Sequence, residues 1–184
     1  MLTRLALLLC IAGSLSSVAR GQALPTVARR ADLQIGAGYV DGNSDYDPQR
    51  LKGFAAYATL DVKRNFGAEI VVHQIKSSTG DNIYERTYEI GPRYHRDYGL
   101  FAPYIKVLYG RGVFNFPNDV ANLAYNIFSA GVGVDIKLRP YLNVRGDYEY
   151  QKWLTFPPTG LTPQLITIGV AYHFPGDIRR SQHY

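Results

Sequence analysis

Ten charged residues recur at alternate positions within otherwise apolar stretches of this chain. They are Asp61, Glu69, Glu85, Glu89, Arg93, Lys106, Asp135, Arg145, Asp147 and Glu149. Charges on alternate positions share one face of a strand. Gathered out of water they must pair, because an unpaired buried charge is costly. Such a set can form a hydrogen-bonded polar plug, or a narrow ion path whose salt bridges exchange partners. The plug is the expectation where the enclosure is only as wide as its side chains.

Hydrolysis would need a Ser–His pair. His73, His173 and Ser129 share the parity of the charges, while His95 falls in an expected turn and His183 near the C-terminus. No Ser stands beside a His in a recognisable motif, so no catalytic residue is assigned. No two His lie at i, i+2 on one strand, so neither a metal site nor a cofactor is assigned. His95-Arg96-Asp97 spells the kinase catalytic-loop tripeptide, but the chain is too short for a kinase and lacks the accompanying phosphate loop. The pairs Gly36/Gly38, Gly110/Gly112 and Gly131/Gly133 have no helix after them. There Gly relieves crowding or allows curvature.

The elements that position these residues are strands. In Tyr141–Trp153 one parity is Leu142, Val144, Gly146, Tyr148 and Tyr150, and the other is Asn143, Arg145, Asp147, Glu149 and Gln151. A helix would scatter both sets around its circumference. The same alternation predicts strands over Ala31–Asp41, Leu51–Val62, Phe66–Lys76, Ile83–Tyr94, Leu100–Arg111, Leu123–Lys137 and Pro163–Phe174. Their lengths suit a tilted membrane crossing, for which about 9–11 residues suffice. The connectors Asp41–Arg50, Ser77–Asn82, Gly112–Asn122 and Leu154–Thr162 alternate with the shorter Lys63–Asn65, His95–Gly99 and Leu138–Pro140. That alternation describes an all-β, eight-stranded, antiparallel up-and-down barrel.

The solvent around the barrel follows from which parity is apolar. Leu33, Ile35, Tyr39, Phe54, Leu60, Ile70, Val72, Tyr88, Ile90, Ile105, Val107, Val132, Val134, Val144, Ile168 and Val170 take one parity. The ten charges, with Gln34, Tyr57 and His73, take the other. A soluble barrel would put the apolar set inside. Charges inside and aliphatics outside make the solvent lipid, and the barrel transmembrane. The mean hydropathy of −0.15 excludes a multi-span helical membrane protein, and it conceals this segregation.

Met1–Ala23 reads as a secretory signal peptide: Arg4, then the 9-residue apolar run Leu5–Gly13, then small Gly21 and Ala23 before the cut. Its removal takes away Arg4, Arg20 and no acid, so the net charge of +5 becomes +3. Basic and acidic residues are interleaved, which argues against nucleic acid as a partner. The sole cysteine, Cys10, leaves with the signal, so no disulfide can form afterwards.

The last strand carries the most specific motif. Thr167, Gly169, Tyr172 and Phe174 resemble the closing-strand signal of bacterial outer-membrane barrels: polar, any, Gly, two of any, hydrophobic, any, aromatic. In that family the barrel assembly machinery reads the signal, and the aromatic is usually the final residue. With the strands before it, Ala31–Phe174 resembles the small OmpA-type outer-membrane β-barrels. The resemblance implies a barrel domain over 24–174 in the bacterial outer membrane, with lipid around it. It also implies a short periplasmic tail, 175–184, with no peptidoglycan-binding domain.

Tyr84, Tyr94, Phe101, Tyr109, Phe128, Tyr148, Tyr150, Tyr172 and Phe174 have outward parity near strand ends and read as interfacial girdles. The loop aromatics of Phe114–Asn118 and Trp153–Pro158, lying beside Pro, suggest exposed binding surface. The expectation is a monomeric, non-enzymatic outer-membrane barrel of structural or surface-interaction role. Its alternatives are a lipid A deacylase-like enzyme and a narrow ion conductor.

Overall fold

The computed structural model describes residues 32–46, 49–62, 65–78, 83–157 and 160–174. The expected signal peptide, the C-terminal tail and His183 lie outside them.

Eight strands follow one another: β1 (Asp32–Asn43), β2 (Arg50–Asp61), β3 (Phe66–Lys76), β4 (Tyr84–His95), β5 (Phe101–Asn115), β6 (Asn122–Arg139), β7 (Leu142–Trp153) and β8 (Gln164–Phe174). Each pairs with its chain neighbour, and β8 closes antiparallel on β1, with Leu33 opposite Phe174. The architecture expected from parity is the one formed.

Most strand ends shift by one or two residues from the sequence reading, and two of the differences matter. β5 runs four residues past its expected end and β6 starts one residue early, and they stay paired out to Asn115 and Asn122, so only 116–121 of the expected loop Gly112–Asn122 lies outside the ladder. The tip is a 3-10 turn at Pro117–Asp119. The polar and glycine residues of the paired part still satisfy their backbones on the ladder. His95 is the last residue of β4 and buried, whereas a turn was expected there.

The lumen-facing glycines make room for rings. Gly36 stands opposite Tyr57 and Gly133 opposite Tyr104. A Cβ at either position would come within 2.5 Å of the facing ring. Both tyrosines therefore lie flat across a glycine, inside an enclosure otherwise too narrow for them.

The outer surface has three zones. Ile70, Ile90, Ile105, Val107, Val132, Ile168 and Val170 form an exposed aliphatic belt, with Ile168 66% exposed. Phe66, Tyr94, Phe101, Tyr172 and Phe174 flank it at the end carrying the short turns, where Phe66 meets Tyr94 and Tyr172 meets Phe174 edge to face. Tyr39, Phe54, Tyr88, Tyr109, Phe128, Tyr148 and Tyr150 flank it at the loop end.

Candidate functional site

The lumen is stratified, and each layer is set by which strand positions point inward. All ten charges singled out in the sequence are buried there. Eight of them join one continuous network, while Asp61 and Glu85 stand apart from it.

Arg145, on β7, is the hub. Its Nε donates to Asp135 Oδ1 at 2.7 Å, its Nη1 to Glu69 Oε2 at 2.8 Å, and its Nη2 to Asp135 Oδ2 at 3.1 Å and Thr59 Oγ1 at 3.3 Å. Its guanidinium lies 4.0 Å over the Tyr57 ring, a cation–π contact strengthened by the burial of both groups. Arg93 pairs with the same Asp135 and stacks 3.9 Å over Tyr104, whose hydroxyl donates to Asp147 at 2.6 Å.

Lys106 Nζ divides one charge among three carboxylates: Glu69 at 3.0 Å, Asp147 at 2.9 Å and Glu149 at 2.9 Å. Above it, Gln151 Nε2 donates to both Glu89 and Glu149 at 2.8 Å, and Ser129 also donates to Glu89. His73 Nδ1 lies 3.1 Å from Thr87 Oγ1 and 3.7 Å from Glu89 Oε1. His73, Glu89 and Glu149 thus bring their ligand-capable atoms within 4.8 Å of one another. No spacing rule could reveal that grouping, since it is assembled across β3, β4 and β7.

At the loop end the lumen turns apolar. Val40, Leu51, Ile75, Ile127 and Leu165 are inward and fully buried. Over them sit Phe114, Phe116, Trp153 and Phe156, with ring centroids of Phe114 4.9 Å from Phe116 and 5.1 Å from Phe156. Tyr46 and Tyr125 pack against the same cluster. The loop aromatics read as exposed binding surface are therefore corrected to a lid. Phe114 and Trp153 are 0% exposed, because closing a barrel mouth buries more apolar area than displaying rings on a loop. The lid is tied to the charges beneath it by Trp153 Nε1, which donates to Gln151 Oε1 at 3.1 Å. Glu85 lies at this level and accepts from Ser44 Oγ at 2.6 Å.

The turn end is small and polar. His95 Nδ1 lies 3.3 Å from Asp61 Oδ1, beside a cavity of about 30 Å³ lined also by Arg93, Asp135 and Asn143. Such a space suits about one water. His173 pairs with Asp32 at the rim.

The closing-strand residues divide by parity: Thr167 and Gly169 face inward, Tyr172 and Phe174 outward. Gly169 abuts the β1 backbone, where a Cβ would meet Ala37 O at 2.7 Å.

Residues 5–174 match the family described as outer membrane protein beta-barrel domain. No curated protein sequence matches the chain. Among solved structures, neisserial surface protein A is 14% identical, with 78% of this chain and 97% of that one covered at a TM-score of 0.59. The attachment invasion locus protein Ail of Yersinia pestis is 14% identical over 79% of this chain and 99% of its own, at 0.56. The outer membrane protein OprG of Pseudomonas aeruginosa is 14% identical over 79% and 97%, at 0.57. At these identities the likeness is one of fold.

Proposed function

The chain belongs to the outer membrane protein beta-barrel domain family as an integral barrel of the bacterial outer membrane, and we propose that it serves there as a non-enzymatic, monomeric protein of structural or surface-interaction role, its lumen closed by its own side chains. In this reading Met1–Ala23 directs export, 24–174 forms the barrel, and the residues that follow lie in the periplasm.

One observation carries the reading. The aromatic lid, the apolar layer and the Arg145 network succeed one another along the lumen with charge-assisted hydrogen bonds through its middle. A deacylase-like reading would need Ser and His where lipid reaches them. Ser129 and His73, which share the inward parity, are 0% and 1% exposed, and each is held by Glu89. Lipid A mass spectra from cells with and without the protein should be identical. Loss of an acyl chain only in its presence would overturn the non-enzymatic assignment.

The belt makes lipid the barrel's solvent. Ile90→Lys, at the middle of β4, should lower unfolding free energy in lipid vesicles by about 2–4 kcal/mol. The same substitution at the exposed loop residue Val120 should leave it unchanged.

The assembly machinery is the expected partner during biogenesis, through Thr167, Gly169, Tyr172 and Phe174. Phe174→Asn should reduce outer-membrane levels of the protein severalfold, read by immunoblot of membrane fractions. Unchanged levels would remove the closing strand from that role.

A further inference from the structure

We propose that His73, Glu89 and Glu149 form a site for one divalent cation of the zinc class inside the closed lumen. One imidazole nitrogen and two carboxylate oxygens are a donor set that zinc takes when it keeps a further position open. One ring nitrogen of His73 and one carboxylate oxygen each of Glu89 and Glu149 lie within 4.8 Å of one another. Zinc–ligand distances of about 2.0–2.2 Å put tetrahedral donors roughly 3.4 Å apart. A contraction of roughly 1.4 Å at most, within the reach of small side-chain rotations, completes the site.

The histidine is prepared for this. It is 1% exposed, its Nδ1 is engaged with Thr87 Oγ1 at 3.1 Å, and its Nε2 has no hydrogen-bond partner. Either nitrogen can ligate, Nδ1 lying 3.7 Å from Glu89 Oε1 and Nε2 having no partner, and the one not on the metal keeps the proton of the neutral ring. Glu89 and Glu149 are held by Gln151, and Glu89 also by Ser129, an outer shell that fixes carboxylates for ligation.

Charge supplies the independent argument. Among the described residues seven buried carboxylates face three buried Lys and Arg side chains. The shortfall concentrates at this cluster. Among the described residues Glu89 has His73 as its only ion-pair partner, and Glu149 has only Lys106, already shared with Glu69 and Asp147. Lys106, 2.9 Å from Glu149, opposes a bound ion. A divalent cation at the cluster offsets what three permanent cations leave uncovered.

A closed lumen takes up the ion as the barrel forms, so exchange afterwards is slow. The test unfolds the full chain in urea and refolds it into detergent with zinc chloride or with EDTA. Each sample is then gel-filtered and its metal measured by mass spectrometry, with heat-dependent gel mobility certifying the fold. The expected result is one zinc per folded chain, and a higher unfolding temperature for the zinc sample. Glu149→Gln and His73→Gln should lose the metal, while Glu85→Gln, buried but outside the cluster, should keep it. Folded chain without zinc, and with equal unfolding temperatures in both samples, would assign the charge balance to a proton on His73 and overturn the proposal. Equal zinc in both variants and the parent would mean an adventitious ion only, and would overturn it as well. If neither variant folds, the temperature difference between the two parent samples decides.

Discussion

Arg145→Ala should lower the unfolding free energy of the barrel by about 3–5 kcal/mol, the usual consequence of breaking a buried ion pair from one side. Arg145 is 1% exposed and is the common partner of Glu69 and Asp135. Its removal leaves Glu69 to the shared Lys106 and Asp135 to Arg93 alone. It also uncovers the face of Tyr57. Urea titration of the refolded variant, followed by gel mobility, measures the loss. Adding Glu69→Gln and Asp135→Asn to Arg145→Ala should recover part of it, because the stranded charges are then gone. A single variant as stable as the parent would mean that the network contributes nothing to holding the barrel together.

The second large effect is expected at the lid. Trp153→Ala should cost about 3–5 kcal/mol, as for a large aromatic removed from a packed interior. Trp153 packs with Phe114, Tyr125 and Phe156, and its indole N–H is satisfied by Gln151. Tyr46→Ala, at the 40% exposed edge of the same cluster, should cost markedly less. The same urea titration compares the two. A Trp153 that served only as a displayed binding residue would leave stability unchanged when replaced, and that outcome would restore the exposed-loop reading.

The barrel was legible because period-2 alternation survives in every strand. In β7 it gives lipid-facing Val144 and Tyr148 and lumen-facing Arg145 and Asp147, and its polarity breaks only at the loop end, where Lys152 faces out and Trp153 in. What alternation could not show is what the lumen residues do with one another. Arg145 meets Glu69 across the barrel, a contact fixed by strand stagger and curvature rather than by spacing along the chain. The His73, Glu89 and Glu149 cluster was hidden for the same reason.

The lid was misread because an aromatic beside Pro has the same local sequence whether it turns outward or inward. A signal was nonetheless present. Val40, Leu51, Ile75 and Leu165 keep the parity of the charges yet are apolar, and all lie toward the loop end. Inward positions that change from charged to aliphatic at one end of a barrel mark a dry layer, and a dry layer needs a cover. The overrun of β5 and β6 had a weaker signal. Gly112 and Asn115 read as loop residues, yet nothing in them prevents pairing once the preceding strand is in register.

The closed lumen is the central claim, and single-channel recording in planar lipid bilayers tests it most directly. Protein verified as folded by its gel mobility should insert and show no steady conductance steps at either polarity. Reproducible, ion-selective steps from the same folded protein would contradict the account, since ions would then be crossing both the Arg145 network and the aromatic lid.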